Sequence, residues 1–197
     1  MRRFILASAS PARLRLLRGA GFDPEVVVSG VDEDDLAPAP GRVVVVALAE
    51  RKAAAVAATP AAADAIVLGC DSMFEMDGEV FGKPGTGDET TARWRRMRGN
   101  KGTLLTGHCV VDTRTGATVS DVASTEVHFG APSDDEVAAY VASGEPLHVA
   151  GAFTLDGRSA PFVAGVDGDP GNVIGVSLPL LRSLLAKLDI GITSLWR

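Results

Sequence analysis

The segment RFILASASPARLRLLRG, residues 3–19, restricts the fold more than any other stretch. Residues 3–8 are strand-like. Ser10-Pro11 then makes a good helix start, because a serine hydroxyl caps exposed N–H groups and proline suits the first helical position, where its missing donor would be unpaired anyway. Leu14 and Leu17, with Arg13 and Arg18, continue the helix to a stop at Gly19 or Gly21. A strand running into a capped helix presents free N–H groups and the positive end of the helix dipole. This turn is therefore expected to cradle an anion, with Ser8 and Ser10 as hydroxyl donors and Arg13 clamping phosphate in a bidentate way. A capped helix with solvated arginines accounts for the same residues.

Arg2-Arg3 ahead of FILASA also suggests a secretory leader. Such a leader needs an apolar region of about 7–15 residues; FILASA is too short, and arginines stand where it should continue. Later apolar runs such as RVVVVALAERKAAAVAA are broken by charge before they reach the ~20 residues of a membrane span. The expectation is a cytoplasmic protein with no membrane partner. Cys70 and Cys109 lie in apolar runs and read as small buried hydrophobes rather than a disulfide framework, which suits a reducing compartment.

Further along, 24–30 reads as a strand entering the acidic run VDEDD, Pro38, Pro40 and Gly41 mark a loop, and 42–58 reads as a long Val- and Ala-rich helix carrying Lys52. AIVLGC predicts a buried strand ending near Asp71, followed by a short strand, an Asp77-Gly78 turn and a returning strand that ends at Lys83-Pro84. Residues 87–98 predict a helix, residues 103–130 a hairpin around Thr115-Gly116, and Ser133 with Glu136 a capping box for a helix closing at Gly144. HVAGAFTLDG reads as a strand, the segment after it as a loop, and NVIGVSLPLLRSLLAKL as a final amphipathic helix. Early alternation of strands and helices, with antiparallel strands in the middle, predicts an α/β fold with a mixed central sheet flanked by helices. With 46% hydrophobic residues, 197 positions and no repeat or long linker, one domain over 1–197 is expected.

The net charge of −6 disfavours a broad basic face for duplex nucleic acid and leaves room for a small anion in a local basic pocket. The basic series from Arg93 to Lys101 holds only one aromatic, Trp94, and so predicts a solvated amphipathic helix rather than a stable nucleic-acid complex. Among acidic candidates, Asp32, Glu33, Asp34 and Asp35 are either a solvated loop or ligands for a hard cation such as Mg²⁺ or Mn²⁺. Asp71 adds a carboxylate just past a buried strand, where open α/β sheets gather functional groups. Lys52 and Lys83 could each neutralise phosphate or snorkel to solvent. His108, His128 and His148 lack metal-site spacing and read as structural. No Walker A, Gly-x-Gly-x-x-Gly or Gly-x-Ser-x-Gly pattern occurs. The surviving class is a metal-assisted hydrolase or transferase acting on a phosphorylated small molecule.

With these residues in place, the chain resembles the Maf family of nucleoside triphosphate pyrophosphatases. The resemblance is carried by LASASPARLRLL, VDE at 31–33, ERKA at 50–53, LGCDSM at 68–73, FGKP at 81–84, TG at 106–107, YVASGEP at 140–146, AGAF at 150–153 and NVIGVSLPLL at 172–181, in family order. It implies an elongated α/β fold similar to inosine triphosphate pyrophosphatases, with a central cleft, often dimeric, that uses a divalent cation to cleave a nucleotide to its monophosphate and pyrophosphate. The family pattern implies Asp71 as proton acceptor for the attacking water, Glu33 with Asp71 as metal-associated carboxylates, and Ser8, Ser10, Arg13, Lys52 and Lys83 on the triphosphate. Ala12 stands where the family often has arginine, Ser72 where the dTTP- and UTP-cleaving branch usually has threonine, and Leu155 where that branch usually has glutamine. These three positions are implied to read the base, and they differ from the 7-methyl-GTP branch as well. A second reading is a nucleotide- or RNA-binding regulator of cell division that has lost turnover. Ala12 favours it, whereas Asp71, Glu33, Lys52 and Lys83 favour the enzyme.

Overall fold

The computed structural model describes residues 2–33 and 39–197. Asp34, Asp35 and Pro38, three of the positions singled out above, lie outside the described residues. The described chain is mixed α/β, with a seven-stranded sheet flanked by helices. Strands β1 (Arg3–Leu6), β2 (Glu25–Val26), β3 (Ala65–Met76), β5 (Lys101–Asp112), β6 (Thr118–Phe129) and β7 (Val163–Asp167) line up in the order β2-β1-β3-β5-β6-β7, and β4 (Glu79–Phe81) adds to β3. The β2-β1-β3 pairs are parallel and the others antiparallel. The helices are α1 (Pro11–Gly19), α2 (Gly41–Ala57), α3 (Gly87–Met97), α4 (Asp134–Ala142), α5 (Pro170–Ile174) and α6 (Leu178–Lys187).

Local chemistry sets most of these boundaries. The Ser10 side chain accepts from the Arg13 amide at the start of α1, Thr86 caps α3 through the Glu89 amide, and Ser133 with Glu136 forms the expected capping box on α4. The core lies in three clusters. One joins α1 and α6 to Phe4, Leu6, Ile66 and Leu68; one packs α2 on Ile5, Val67 and Cys109; the third is aromatic, around Phe74, Trp94, Phe129 and Phe153. No helix among the described residues is long and apolar enough to cross a membrane.

Five expectations need correction. The strand over 24–30 shrinks to Glu25–Val26 at the sheet edge, with Val28 exposed. The run from Ala65 does not end near Asp71; it continues to Met76, because antiparallel pairing with β5 from Ile66 to Glu75 carries the ladder through the polar residues. HVAGAFTLDG forms no strand: Gly151 and Ala152 adopt positive φ, 68° and 65°, and the segment coils into short 3₁₀ turns. The loop after it instead supplies β7, and the final helix is two, parted at Gly175, whose φ of 127° breaks α5 before Ser177 caps α6.

Candidate functional site

One edge of β3 is covered by β5, while the other pairs with β1 only as far as Leu68 and with β4 only from Phe74. Residues 69–73 therefore have no strand beside them on that edge, and a cleft of about 700 Å³ opens there. Successive strand residues point to opposite faces, so Asp71 and Ser72 serve the two sides of this opening.

On the Asp71 side the partner is α2. Its buried stripe is Val45, Leu48, Ala49, Lys52, Ala53 and Val56, which places Lys52 on the inward face. Two glycines let the helix backbone settle on the sheet. A Cβ at Gly69 would lie 2.3 Å from the Ala49 carbonyl oxygen, and one at Gly107, opposite Asp71 in the β3–β5 ladder, 2.1 Å from that of Val45. At this approach Lys52 Nζ donates to Asp71 Oδ1 at 2.6 Å and to Glu33 Oε1 at 2.6 Å. Lys52 and Asp71 are only 6% and 7% exposed, whereas Glu33 is exposed. Lys52 therefore does not snorkel to solvent. Burial pushes the Asp71 carboxyl above its ordinary pKa against the pull of Lys52. Burial acts the same way on Glu33, but its bond to Lys52 and the charges of Lys52 and Lys83 leave it below the usual carboxylate range.

On the Ser72 side the partner is Arg13. Its Nε donates to the Gly175 carbonyl at 3.0 Å, and its two terminal nitrogens to Ser8 Oγ and Ser72 Oγ, each at 3.0 Å. Thr106 Oγ1 donates to the Asn172 carbonyl at 3.0 Å and so receives, rather than gives, the 2.9 Å bond to Ser72. Hydrogen bonds thus run in one direction from Arg13 through Ser72 and Thr106 to the backbone of α5. Three of the five guanidinium N–H groups are engaged within the protein, which leaves the remaining pair for an anion.

Ser8, Ser10, Ala12, Glu33 and Lys83 line the cleft with Arg13, Lys52, Asp71 and Ser72, together with Phe153, Thr154 and Val149. Ser8 Oγ accepts from the Ser10 amide and from Arg13, so its own proton remains for a ligand. Ser10 serves first as the helix cap. Lys83 is exposed and makes no hydrogen bond or ion pair among the described residues. Leu155 lies outside the lining and packs beside the aromatic cluster; its neighbours Phe153 and Thr154 face the cleft instead. Among the described residues, Arg13, Lys52 and Lys83 against Glu33 and Asp71 give the cleft a surplus of positive charge within an acidic protein.

Sequence reasoning gave no site role to Thr106, Phe153, Thr154 or Gly175; only the TG and AGAF elements pointed near them. His108 is structural as expected: Nδ1 donates to the Thr106 carbonyl at 2.9 Å, Nε2 accepts from the Ser177 amide at 2.8 Å, and burial lowers its pKa to about 4. His148, by contrast, lines the cleft. His128 meets Glu126 and Asp167 across the β6–β7 pair, with ligand atoms within 4.8 Å of one another, a grouping that spacing along the chain could not show. Lys101 already pairs with Glu126 there, and none of the three lines the cleft. The basic series lies on the expected amphipathic surface helix, with Arg95 and Arg96 exposed, and Arg93, Arg96 and Arg98 pair there with Glu89, Glu79 and Asp134. Cys70 and Cys109 are free and buried, and burial pushes both thiols up to about 12.

The family model described as Maf-like protein matches residues 3–188. A Streptomyces coelicolor protein named nucleoside triphosphate pyrophosphatase is 65% identical over 196 residues, covering 99% of this chain and 95% of its own. One of the same name from Streptomyces avermitilis is 63% identical over 196 residues with the same coverage, and one from Salinispora tropica is 53% identical over 197 residues, covering 98% and 87%.

Proposed function

This chain belongs to the Maf-like family, and from that membership we propose that it is a nucleoside triphosphate pyrophosphatase, a hydrolase that converts a nucleoside triphosphate, including non-canonical or modified ones, to the monophosphate and pyrophosphate. The observation that carries the reading is the buried Lys52 ammonium held between Asp71 and Glu33 in a cleft that also receives Arg13 and Lys83. A carboxylate whose pKa is raised by burial makes a better proton acceptor at neutral pH than a solvated one. Asp71 takes a proton from the attacking water as the water oxygen bonds to the α-phosphorus. The bond from that phosphorus to the bridging oxygen breaks, and the electron pair leaves with pyrophosphate. Lys52, Lys83 and the two free Arg13 donors offset charge on the phosphate chain. Ser8 offers its hydroxyl to a phosphate oxygen.

Glu33 and Asp71 supply hard oxygen donors of the type that hold Mg²⁺ or Mn²⁺ together with substrate phosphates, so the donor set fits such an ion. When bound there, a divalent cation would polarise phosphate oxygens and add positive charge against the triphosphate. The base is read in this proposal by Ala12, Ser72 and the wall of Phe153, Thr154 and Val149 rather than by Leu155. Cytoplasmic location and a homodimer complete the proposal.

The test is pyrophosphate release from dTTP, UTP, CTP and 7-methyl-GTP with Mg²⁺, Mn²⁺ or EDTA. Metal-dependent release from one or two of them is expected, and Asp71→Asn should lose turnover while keeping nucleotide affinity. Nucleotide binding without release from any of them would replace the enzyme with a binding regulator.

A further inference from the structure

Lys83 has no hydrogen-bond or ion-pair partner among the described residues at the cleft, while the turn that carries it is held at both ends. The Gly82 carbonyl accepts from Arg93 at 2.6 Å and from the Gly151 amide at 3.1 Å, and the Gly85 amide donates to Glu89 at 2.8 Å. Glu89 also pairs with Arg93 one helical turn on, so both anchors belong to one ion pair. The ring of Phe81, directly before the turn, lies 5.2 Å from the Arg93 guanidinium and 5.1 Å from that of Arg96. Residues 89, 93 and 96 fall on one stripe of α3, and that stripe faces the turn. The Arg93 side chain is 11% exposed, unusually covered for a residue on a helix whose neighbouring arginines are open.

We propose that Glu89 and Arg93 are positioning residues for the pyrophosphatase reaction: they hold the Gly82–Gly85 turn so that the Lys83 ammonium meets the phosphate chain. This rests on the reading of the cleft given above. A lysine is a point charge on a flexible stem, and ordering it on a ligand costs rotamer entropy. A turn fixed on both sides of Lys83 leaves only the side chain to be ordered. Arg93 thereby acquires a task beside the cleft, and an RNA-binding role for it becomes unnecessary.

The experiment is a double-mutant cycle of Arg93→Met with Lys83→Met, with Glu89→Ala as a second route to the same turn. Two quantities are followed: kcat/KM for pyrophosphate release, and the affinity of inorganic pyrophosphate alone by calorimetry in EDTA. Arg93→Met is expected to lower both by about tenfold when Lys83 is present and by less than about twofold when it is absent. Arg93→Lys, which keeps the charge but loses the planar fork, should recover only part of the loss. Equal losses with and without Lys83 would make Arg93 a general brace of the fold and overturn the proposal. If Arg93→Met does not fold, the Glu89→Ala cycle decides by the same criterion. If the wild type turns over no nucleotide yet binds pyrophosphate, the activity reading fails and the affinity cycle still decides the positioning role. A wild type with neither turnover nor pyrophosphate affinity overturns both.

Discussion

Arg13 illustrates how one side chain joins distant parts of the chain. Its guanidinium reaches Ser8, Ser72 and the Gly175 carbonyl, three groups that come from the opening turn, the central strand and the end of α5. A lysine there would present a single point charge and could not serve those directions together. Arg13→Lys is therefore expected to lower kcat/KM for pyrophosphate release by about tenfold to a hundredfold, through loss of orientation rather than of charge. Steady-state kinetics on the preferred nucleotide checks this, and unchanged kinetics would show that charge alone suffices. The place of Arg13 at the cleft was legible because it follows a strand and a Ser-Pro helix start; its engagement with three protein partners was not, because two of them lie 59 and 162 positions away. Lys52 was more legible than it first seemed. It falls three and four residues after Ala49 and Leu48 and four before Val56, so helical periodicity alone turns it inward.

At the scale of elements, the site depends on how closely α2 approaches the sheet. Gly69 and Gly107 remove the side chains that would separate them, and the helix backbone fills the space. A methyl at Gly107 would meet the Val45 carbonyl at 2.1 Å, with backbone rather than a flexible side chain to displace. Gly107→Ala should cost about 1–3 kcal/mol of stability, as overpacking generally does. It should also lift Lys52 from Asp71, so that activity falls by more than the folded fraction does. Denaturant unfolding and kcat on the same preparation separate the two effects. Helix starts and the hairpin at Thr115-Gly116 were legible because caps and turns are local chemistry. The full length of β3, the strand β7 and the break at Gly175 were not, because each is decided by a partner strand or by backbone angles that neighbouring residues do not encode.

For the whole molecule, His108 links the sheet to α6, accepting from the Ser177 amide while it donates to the carbonyl of Thr106. Its pKa falls from 6.5 to about 4 because burial disfavours the imidazolium. The unfolded chain therefore binds a proton that the folded one refuses; the stabilising contribution is complete above pH 6.5 and is lost as pH falls towards 4. Over that window about 3 kcal/mol should disappear. His108→Gln, whose amide can donate and accept in the same directions without titrating, should flatten the dependence, as urea midpoints between pH 7 and 4 would reveal; an unchanged slope would assign the acid sensitivity to other groups. The sequence by itself determined the α/β class, the capped turns, the cation-bearing helix and the ordered motifs that place the chain in its family, since periodicity, caps and turn residues act over a few positions. Only the tertiary structure decided that Asp71 lies within a strand, that Lys52 joins it to Glu33, and that Phe153 and Thr154 rather than Leu155 line the cleft. Those outcomes depend on where β1 stops, where β4 begins and how close α2 can come, and they are settled by packing between segments remote in the chain.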